Sequence, residues 1–156
     1  MKPRILVPFD FSASAEDALA WAADLHKTIG GEPLLIINAI NSRLPGTTDV
    51  PLDIVLPNKE EIAALERSMV EAALKHGAHA SGTVAIAASA VGDIILDAAR
   101  KGGAELIVMG THGHTGVKRL FLGSVAEHVL RHSDCPVVTV RTQRRGDSTG
   151  HQPRSP

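Results

Sequence analysis

The sequence predicts an α/β domain in which helices cover both faces of a parallel sheet. Short β-branched runs alternate with longer amphipathic stretches along nearly the whole chain, the pattern of repeated βαβ units. The run Leu34-Leu35-Ile36-Ile37-Asn38-Ala39-Ile40 is almost continuously apolar, as strands covered on both faces are. Glycines stand just past the amphipathic stretches, at Gly30-Gly31, Gly77 and Gly102-Gly103, where a helix has to stop.

Each element has its own local signal. Arg4-Ile5-Leu6-Val7-Pro8 is a compact apolar strand, and Asp10-Phe11-Ser12-Ala13-Ser14 a loop and helix start. Ser12 or Ser14 can cap the first helix, with Glu16 and Asp17 placed favourably in its first turn. Ala18, Leu19, Ala22, Leu25 and Ile29 recur at helical spacing, and Trp21 on the same helix is expected to be partly buried. The second strand is the Leu34 to Ile40 run. Residues Asn41 to Asn58 interrupt the rhythm with Pro45, Gly46, Pro51 and Pro57, a long connection on the edge where the other strand-to-helix loops lie. Lys59 to His76 is a second helix with Ile62, Leu65, Met69 and Ala73 inward. Thr83 to Ala87 reads as the third strand, Gly92 to Arg100 as the third helix, and Leu106 to Met109 as the fourth strand. A glycine-bearing loop leads to a last helix from Ser124 to about His132 and a last strand Val137 to Arg141. The alternation does not by itself give the order of strands in the sheet.

Length and composition set the limits. A chain of 156 residues with 44 % hydrophobic and 21 % charged side chains is globular and fits one domain. Neither an internal repeat nor a second domain is visible; residues 1–141 form the domain. Residues 142–156 hold no aliphatic side chain and are expected to be a disordered tail. Sixteen basic against seventeen acidic side chains leave a formal charge of −1 and no basic field for nucleic acid. The pair Arg144-Arg145 is too short for a nucleic-acid arm, and 3 % aromatic residues without tyrosine argue against a base-stacking platform. Apolar runs fall far short of the roughly 20 residues that span a bilayer. The N-terminus lacks a secretory stretch, and the single cysteine, Cys135, excludes a disulfide framework and a cysteine-based zinc cluster. No membrane association is expected, and a reduced cytoplasm is the expected setting.

In open α/β sheets ligands bind outside the carboxyl ends of the strands. Two loops fall there, Pro8-Phe9-Asp10-Phe11-Ser12 after the first strand and Gly110 to Gly123 after the fourth. Glycines at 110, 113 and 116 let backbone amides approach an anion, and Gly123-Ser124 opens a helix whose free N–H groups favour phosphate. Ser124 adds a hydroxyl, and Lys118, Arg119 and His112 bring positive or donor groups. This is neither a Walker A loop nor a dinucleotide fingerprint, because the required lysine and glycine spacing are missing. Residue types alone leave two readings open: a phosphate loop, or a turn that only ends a strand and caps a helix.

The segment Gly110-x2-Gly113-x9-Gly123-Ser124 matches, without gap or substitution, the nucleotide-binding pattern of the universal stress protein family. Its setting resembles that family too, in Ile5-Leu6-Val7-Pro8-x-Asp10-Phe11-Ser12, in Leu122-Gly123-Ser124-Val125-Ala126-Glu127 and in Cys135-Pro136-Val137-Val138. The similarity covers roughly residues 3–141. It implies a Rossmann-like fold of the adenine nucleotide alpha hydrolase type, with five parallel strands in the order 3-2-1-4-5. It further implies an ATP site, with magnesium accompanying the phosphates and Asp10 the nearby carboxylate. On that resemblance Asp10 contacts the nucleoside, backbone near Pro8 lines the pocket, and Ala39 lies against adenine. Met109 closes the base or ribose side, while Gly110, His112, Gly113, Gly123, Ser124 and Val125 hold the phosphates. It also implies a homodimer through the last strand, Val137 to Arg141. Two departures stand in the base half: Asn38 where many members have histidine, and Ala39 where valine is common.

The resulting expectation is an ATP-binding, nucleotide-responsive regulatory protein of the stress response that works as a dimer with a protein partner the sequence does not identify. Two alternatives differ in class: a nucleotide-free protein acting through its dimer surface, and a slow ATP hydrolase or self-phosphorylating protein. No side chain is placed as a general base, so no catalytic residue is assigned. No metal-ligand set is assigned either: His112 and His114 lie in a loop, and His128 and His132 share a helix face without a metalloprotease glutamate, as solvated helix histidines do. Cys135 is expected to be a buried structural thiol, and Leu120-Phe121-Leu122 to join the core.

Overall fold

The structure is a computed structural model that describes residues 3–43, 56–111 and 122–142. His112 and Gly113, most of the connection after the second strand, and the expected tail from 143 onward lie outside the described residues.

The elements run in the order β1 (Ile5–Pro8), α1 (Ala13–Ile29), β2 (Leu34–Asn41), α2 (Lys59–Lys75), β3 (Ala80–Ala87), α3 (Val91–Gly102), β4 (Leu106–Gly110), α4 (Ser124–His132) and β5 (Val137–Val140). All strand pairs are parallel, and the sheet order is β3-β2-β1-β4-β5 with β1 in the middle. Side chains alternate across this sheet with period two, so one residue type fills two separate layers. Ile5, Val7, Ile36 and Val108 face α1 and α2, where they pack on Leu19, Ala22 and Met69. Leu6, Ile107 and Met109 face α3 and α4, where they pack on Ile95, Leu96 and Val129. Each large side chain so buried contributes about 1.5–3 kcal/mol.

The helix starts are set by caps. Ser12 Oγ accepts from Ala15 N–H at 3.2 Å, which selects Ser12 over Ser14 as the α1 cap; Ser14 lies buried within the first turn. Asn58 Oδ1 accepts from Glu60 and Glu61 N–H at 2.9 and 3.0 Å while Glu61 Oε2 accepts from Asn58 N–H at 2.8 Å, a complete capping box for α2. At the far end of α3, Arg100 Nε donates to Asp134 Oδ2 at 2.7 Å, and this bond lifts the guanidinium pKa above its ordinary value.

Several expectations are corrected. β3 begins at Ala80 rather than Thr83, because it pairs with β2 from Leu34↔Ala80 through Asn41↔Ala87. Gly82 sits so close beneath α2 that a Cβ there would lie 2.7 Å from the Glu66 carbonyl oxygen, so glycine at that position is a packing requirement. β5 ends at Val140, which leaves Arg141 outside the strand. Trp21 is 41 % exposed, partly buried as expected but outside the core.

Two glycines are required for close approach, for different reasons. A Cβ on Gly110 would stand 2.3 Å from Ser14 Oγ and 2.6 Å from the Ser14 carbonyl oxygen, so α1 lies directly on the end of β4. A Cβ on Gly92 would stand 2.5 Å from a ring carbon of His128, a side chain of α4. Gly110→Ala is therefore expected to lose about 1–3 kcal/mol of stability, and Ser14→Ala does not restore it, because backbone stands in the way. Gly92→Ala is expected to lose a similar amount alone and to regain most of it when combined with His128→Ala. Urea midpoints of the four variants check both statements.

Candidate functional site

The chain leaves β1 to one side of the sheet toward β2, and α3 carries it back across to β4 on the other side. The carboxyl ends of β1 and β4 thus bound the crevice at which open α/β sheets take ligands. A cavity of ≈ 180 Å³ opens there. Eight of the ten residues singled out in the sequence line it: Pro8, Asp10, Ala39, Met109, Gly110, Gly123, Ser124 and Val125. The other two, His112 and Gly113, lie outside the described residues.

Its walls divide by chemistry. Ile37 and Ala39 from β2, Met109 from β4, and Val91 and Ile95 from α3 form an apolar inner wall. Val91 and Ile95 are four apart and so stack on one helix face; sequence reading missed both as site residues, although that spacing was visible. Asp10, Thr111 and Ser124 are the polar side chains that line the cavity among the described residues. Thr111, also missed, is buried; its carbonyl accepts from Gly123 N–H at 2.8 Å, and its own N–H donates to the Val140 carbonyl at 3.2 Å. These two bonds fasten the start of α4 to the ends of β4 and β5.

Gly123 is the N-cap of α4 and offers no side chain to the first-turn N–H groups. Those amides and the positive end of the helix dipole open on the cavity lip formed by Gly123, Ser124 and Val125, a setting suited to an anion. Gly110 has a packing role beside the cavity it lines: the space of its missing Cβ is taken by Ser14.

The opposite lip is the loop after β1. Phe9 N–H donates to the Ile37 carbonyl at 2.8 Å, and Asn38 Nδ2 donates to the Phe9 carbonyl at 2.9 Å. Asp10 Oδ1 accepts from Ser12 N–H at 3.0 Å, and Phe11 between them takes a left-handed φ of 63°. The Phe11 ring stands edge-on to the buried Phe9 ring at 4.9 Å.

The remaining candidates carry structure. His128 Nε2 lies 2.7 Å from Asp93 Oδ1 and ties α4 to α3, while His132 Nδ1 lies 2.8 Å from the His128 carbonyl and bonds within α4. Among the described residues no group of three or more His, Cys, Asp or Glu side chains is placed to hold a metal ion. Cys135 is half-buried rather than buried, 3.6 Å from Ser133 Oγ. Leu122 packs on the inner core layer, while Leu120 and Phe121 lie outside the described residues. Among the described residues no helix is long and apolar enough to cross a membrane.

The sequence profile of the universal stress protein family matches residues 1–141. Universal stress protein MJ0577 of Methanocaldococcus jannaschii is 31 % identical over 156 aligned positions, which cover 90 % of this chain and 96 % of that protein. Its solved structure, the subject of a structure-based assignment of biochemical function, superposes with a TM-score of 0.73 over 92 % of this chain and 99 % of the other, at 26 % identity. MJ0531 of the same organism is 49 % identical over a shorter stretch of 51 residues, 33 % of this chain and 30 % of that protein. The universal stress protein of Archaeoglobus fulgidus in complex with dAMP superposes with a TM-score of 0.63 at 26 % identity, covering 88 % of this chain and 96 % of the other.

Proposed function

Since this chain belongs to the universal stress protein family, we propose that its cavity binds an adenine nucleotide, ATP with magnesium, and that the protein acts as a nucleotide-responsive regulatory dimer in the cytoplasm. The observation that carries the reading is the division of one cavity into an apolar inner wall and a lip made by an uncapped helix N-terminus. A purine is flat and largely apolar on its faces and fits the Ile37, Ala39, Val91, Ile95 and Met109 wall. Phosphate fits the amides of Gly123, Ser124 and Val125, with the Ser124 hydroxyl as a further donor. Asp10 and the backbone at Pro8 line the same cavity from the opposite lip, where the nucleoside would meet them, and Asp10 is the carboxylate nearest to a phosphate-bound magnesium ion. His112 and Gly113 complete the phosphate side. Gly110 contributes by letting α1 lie against β4, which brings Ala15 to the cavity. The dAMP complex of the Archaeoglobus fulgidus relative supports a nucleotide as the ligand class.

A second reading draws on Gly110. Because packing against Ser14 by itself requires a glycine there, part of the glycine pattern would persist in a nucleotide-free protein that works through its dimer surface alone. Denaturing freshly purified protein and separating the released small molecules by anion exchange decides between the two. The expected result is ATP or ADP near one per chain. An empty protein that also gives no calorimetric heat with ATP and magnesium belongs to the second reading. Gly123→Val, which crowds the α4 amides, is expected to weaken ATP binding by about tenfold or more, or about 1.4 kcal/mol. Adenosine binding, measured by the same calorimetry, should change far less.

The dimer seam is argued from ladder alternation. Ile107 N–H donates to the Pro136 carbonyl at 3.0 Å and Thr111 N–H to the Val140 carbonyl at 3.2 Å, so residues 136, 138 and 140 turn their backbone groups toward β4. The N–H and C=O of Val137 and Thr139 point outward, ready to pair with a second copy running antiparallel about Thr139. Thr139→Pro removes an outward donor and no ladder bond. It is expected to give a folded monomer by sedimentation and circular dichroism, whereas Val138→Pro breaks the β4 ladder and lowers the melting temperature. A dimer unaffected by Thr139→Pro would place the seam elsewhere.

A further inference from the structure

We propose that Asn38 is a positioning residue for the cavity, holding the loop after β1 in the one conformation that points Asp10 inward; the binding half of this proposal rests on the nucleotide-binding reading of the cavity. Asn38 lies in β2 one residue past Ile37, and its half-buried amide reaches sideways to the neighbouring chain at the point where that chain leaves the sheet. There the peptide groups flanking Phe9 are both fixed from β2. Phe9 N–H donates to the Ile37 main-chain carbonyl at 2.8 Å, as a continuation of the ladder. The Phe9 carbonyl has left the ladder, and it accepts from Asn38 Nδ2 at 2.9 Å instead. A carbonyl only accepts, so the contact requires the donor end of the amide at that place.

The turn after Phe9 needs such support. Phe11 takes a φ of 63°, the left-handed region that residues with a Cβ rarely adopt and that persists only where the surroundings enforce it. Two enforcing contacts lie within the loop: the edge-on packing of the Phe11 ring against Phe9 and the bond from Ser12 N–H to Asp10 Oδ1. The ladder bond from Phe9 N–H holds the loop to β2 only up to that amide; Asn38 extends the hold to the Phe9 carbonyl, at the residue on which Phe11 packs and next to Asp10. Removing its donor releases the Phe9 carbonyl, the left-handed turn relaxes, and Asp10 loses its aim. Asn38 is not among the cavity-lining residues, so it acts through the loop and not by touching a ligand.

Two measurements test this, on Asn38→Ala and on Asn38→Asp, which keeps the shape but presents an oxygen to the Phe9 carbonyl. The first needs no ligand. In the nucleotide-free protein, hydrogen exchange of the Ser12 amide, the proton held by Asp10 Oδ1, is expected to speed up by about tenfold or more in either variant, with the Ile95 amide of α3 unchanged as the internal control. The second is a double-mutant cycle with Asp10→Ala, read by ATP calorimetry. Asn38→Ala is expected to weaken binding by about three- to tenfold in the parent and by less than about twofold when Asp10 is already alanine. Ser12 exchange that stays at the parent rate overturns the proposal, as does an Asn38→Ala loss that recurs in full on the Asp10→Ala background. If the parent binds no ATP, the nucleotide reading falls, and the Ser12 exchange rate alone still decides the role of Asn38. Should Asn38→Ala fail to fold, the isosteric Asn38→Asp carries both measurements.

Discussion

Ser14 and Gly110 meet with no room for a side chain between them, and the crevice takes its shape from that contact. A Cβ at residue 110 would fall inside the van der Waals envelope of the Ser14 backbone, so α1 rests on the last residue of β4 itself. Helix α1 begins at Ala13, directly after the Pro8–Ser12 loop, so pressing its first turn on β4 also fixes where that loop has to end. Because β1 and β4 are neighbours at the switch point, one close approach brings the loop after β1 and the residues Gly110, Thr111 and Gly123 to a common cavity. Thr111 then fastens the start of α4 to the same place by accepting from Gly123 N–H. A larger residue at position 110 pushes α1 away and widens every distance across the site at once.

The two halves of the cavity differ because they come from different kinds of structure. Strand ends and a helix flank can offer only what the core layers already contain, so Ile37, Ala39, Met109, Val91 and Ile95 are apolar by the same period that builds the core. Polar character is left to the places where the backbone stops pairing with itself, namely the loop at Asp10 and the amides at the start of α4. This makes the polar half sensitive to loop conformation and the apolar half sensitive only to packing. The ties on the loops obey the same logic. Asn38 and Ser12 fix the β1 side, Thr111 the β4 side, and the His128–Asp93 pair holds α4 against α3, where Gly92 leaves space for the imidazole.

How much of this could be read from sequence depends on whether the information is local. Every helix and strand was legible, since apolar runs, caps and glycine stops are short-range signals, and Ser12 and Asn58 do what their residue types predict. The strand order came from the family resemblance, because periodicity carries no record of which strands are adjacent. The first residues of β3 were missed for a physical reason: Ala80, Ser81 and Gly82 have no apolar signal and become a strand by pairing with β2 under α2. Gly110 stands out in the sequence as a site residue, but its packing under α1 does not, since glycine looks the same in an anion loop and under a close-packed helix. Asn38 drew attention only as a departure from a family pattern; its bond to Phe9 joins positions 29 residues apart and has no local trace.

Of the two sheet edges, β5 suits the proposed pairing with a second copy better than β3 does. An exposed edge invites association unless its free backbone groups are blocked. At β3 they are partly blocked: Glu66 of α2 reaches over and accepts from Val84 N–H at 3.2 Å, using a backbone donor that a neighbouring strand would need. Polar Ser81 and Thr83 on the same strand further lower the gain from covering it. β5 carries Val137, Val138, Thr139 and Val140 without a charge, each only half-buried in the single chain. Association there buries β-branched surface while pairing the outward amides, so both energetic terms favour it; at β3 the hydrogen-bond term would first have to displace a carboxylate. The β5 end also lies within one bond of the cavity, through Thr111 N–H and the Val140 carbonyl. A change in the loop after β4 therefore has a short covalent and hydrogen-bonded route to the edge where a partner would sit.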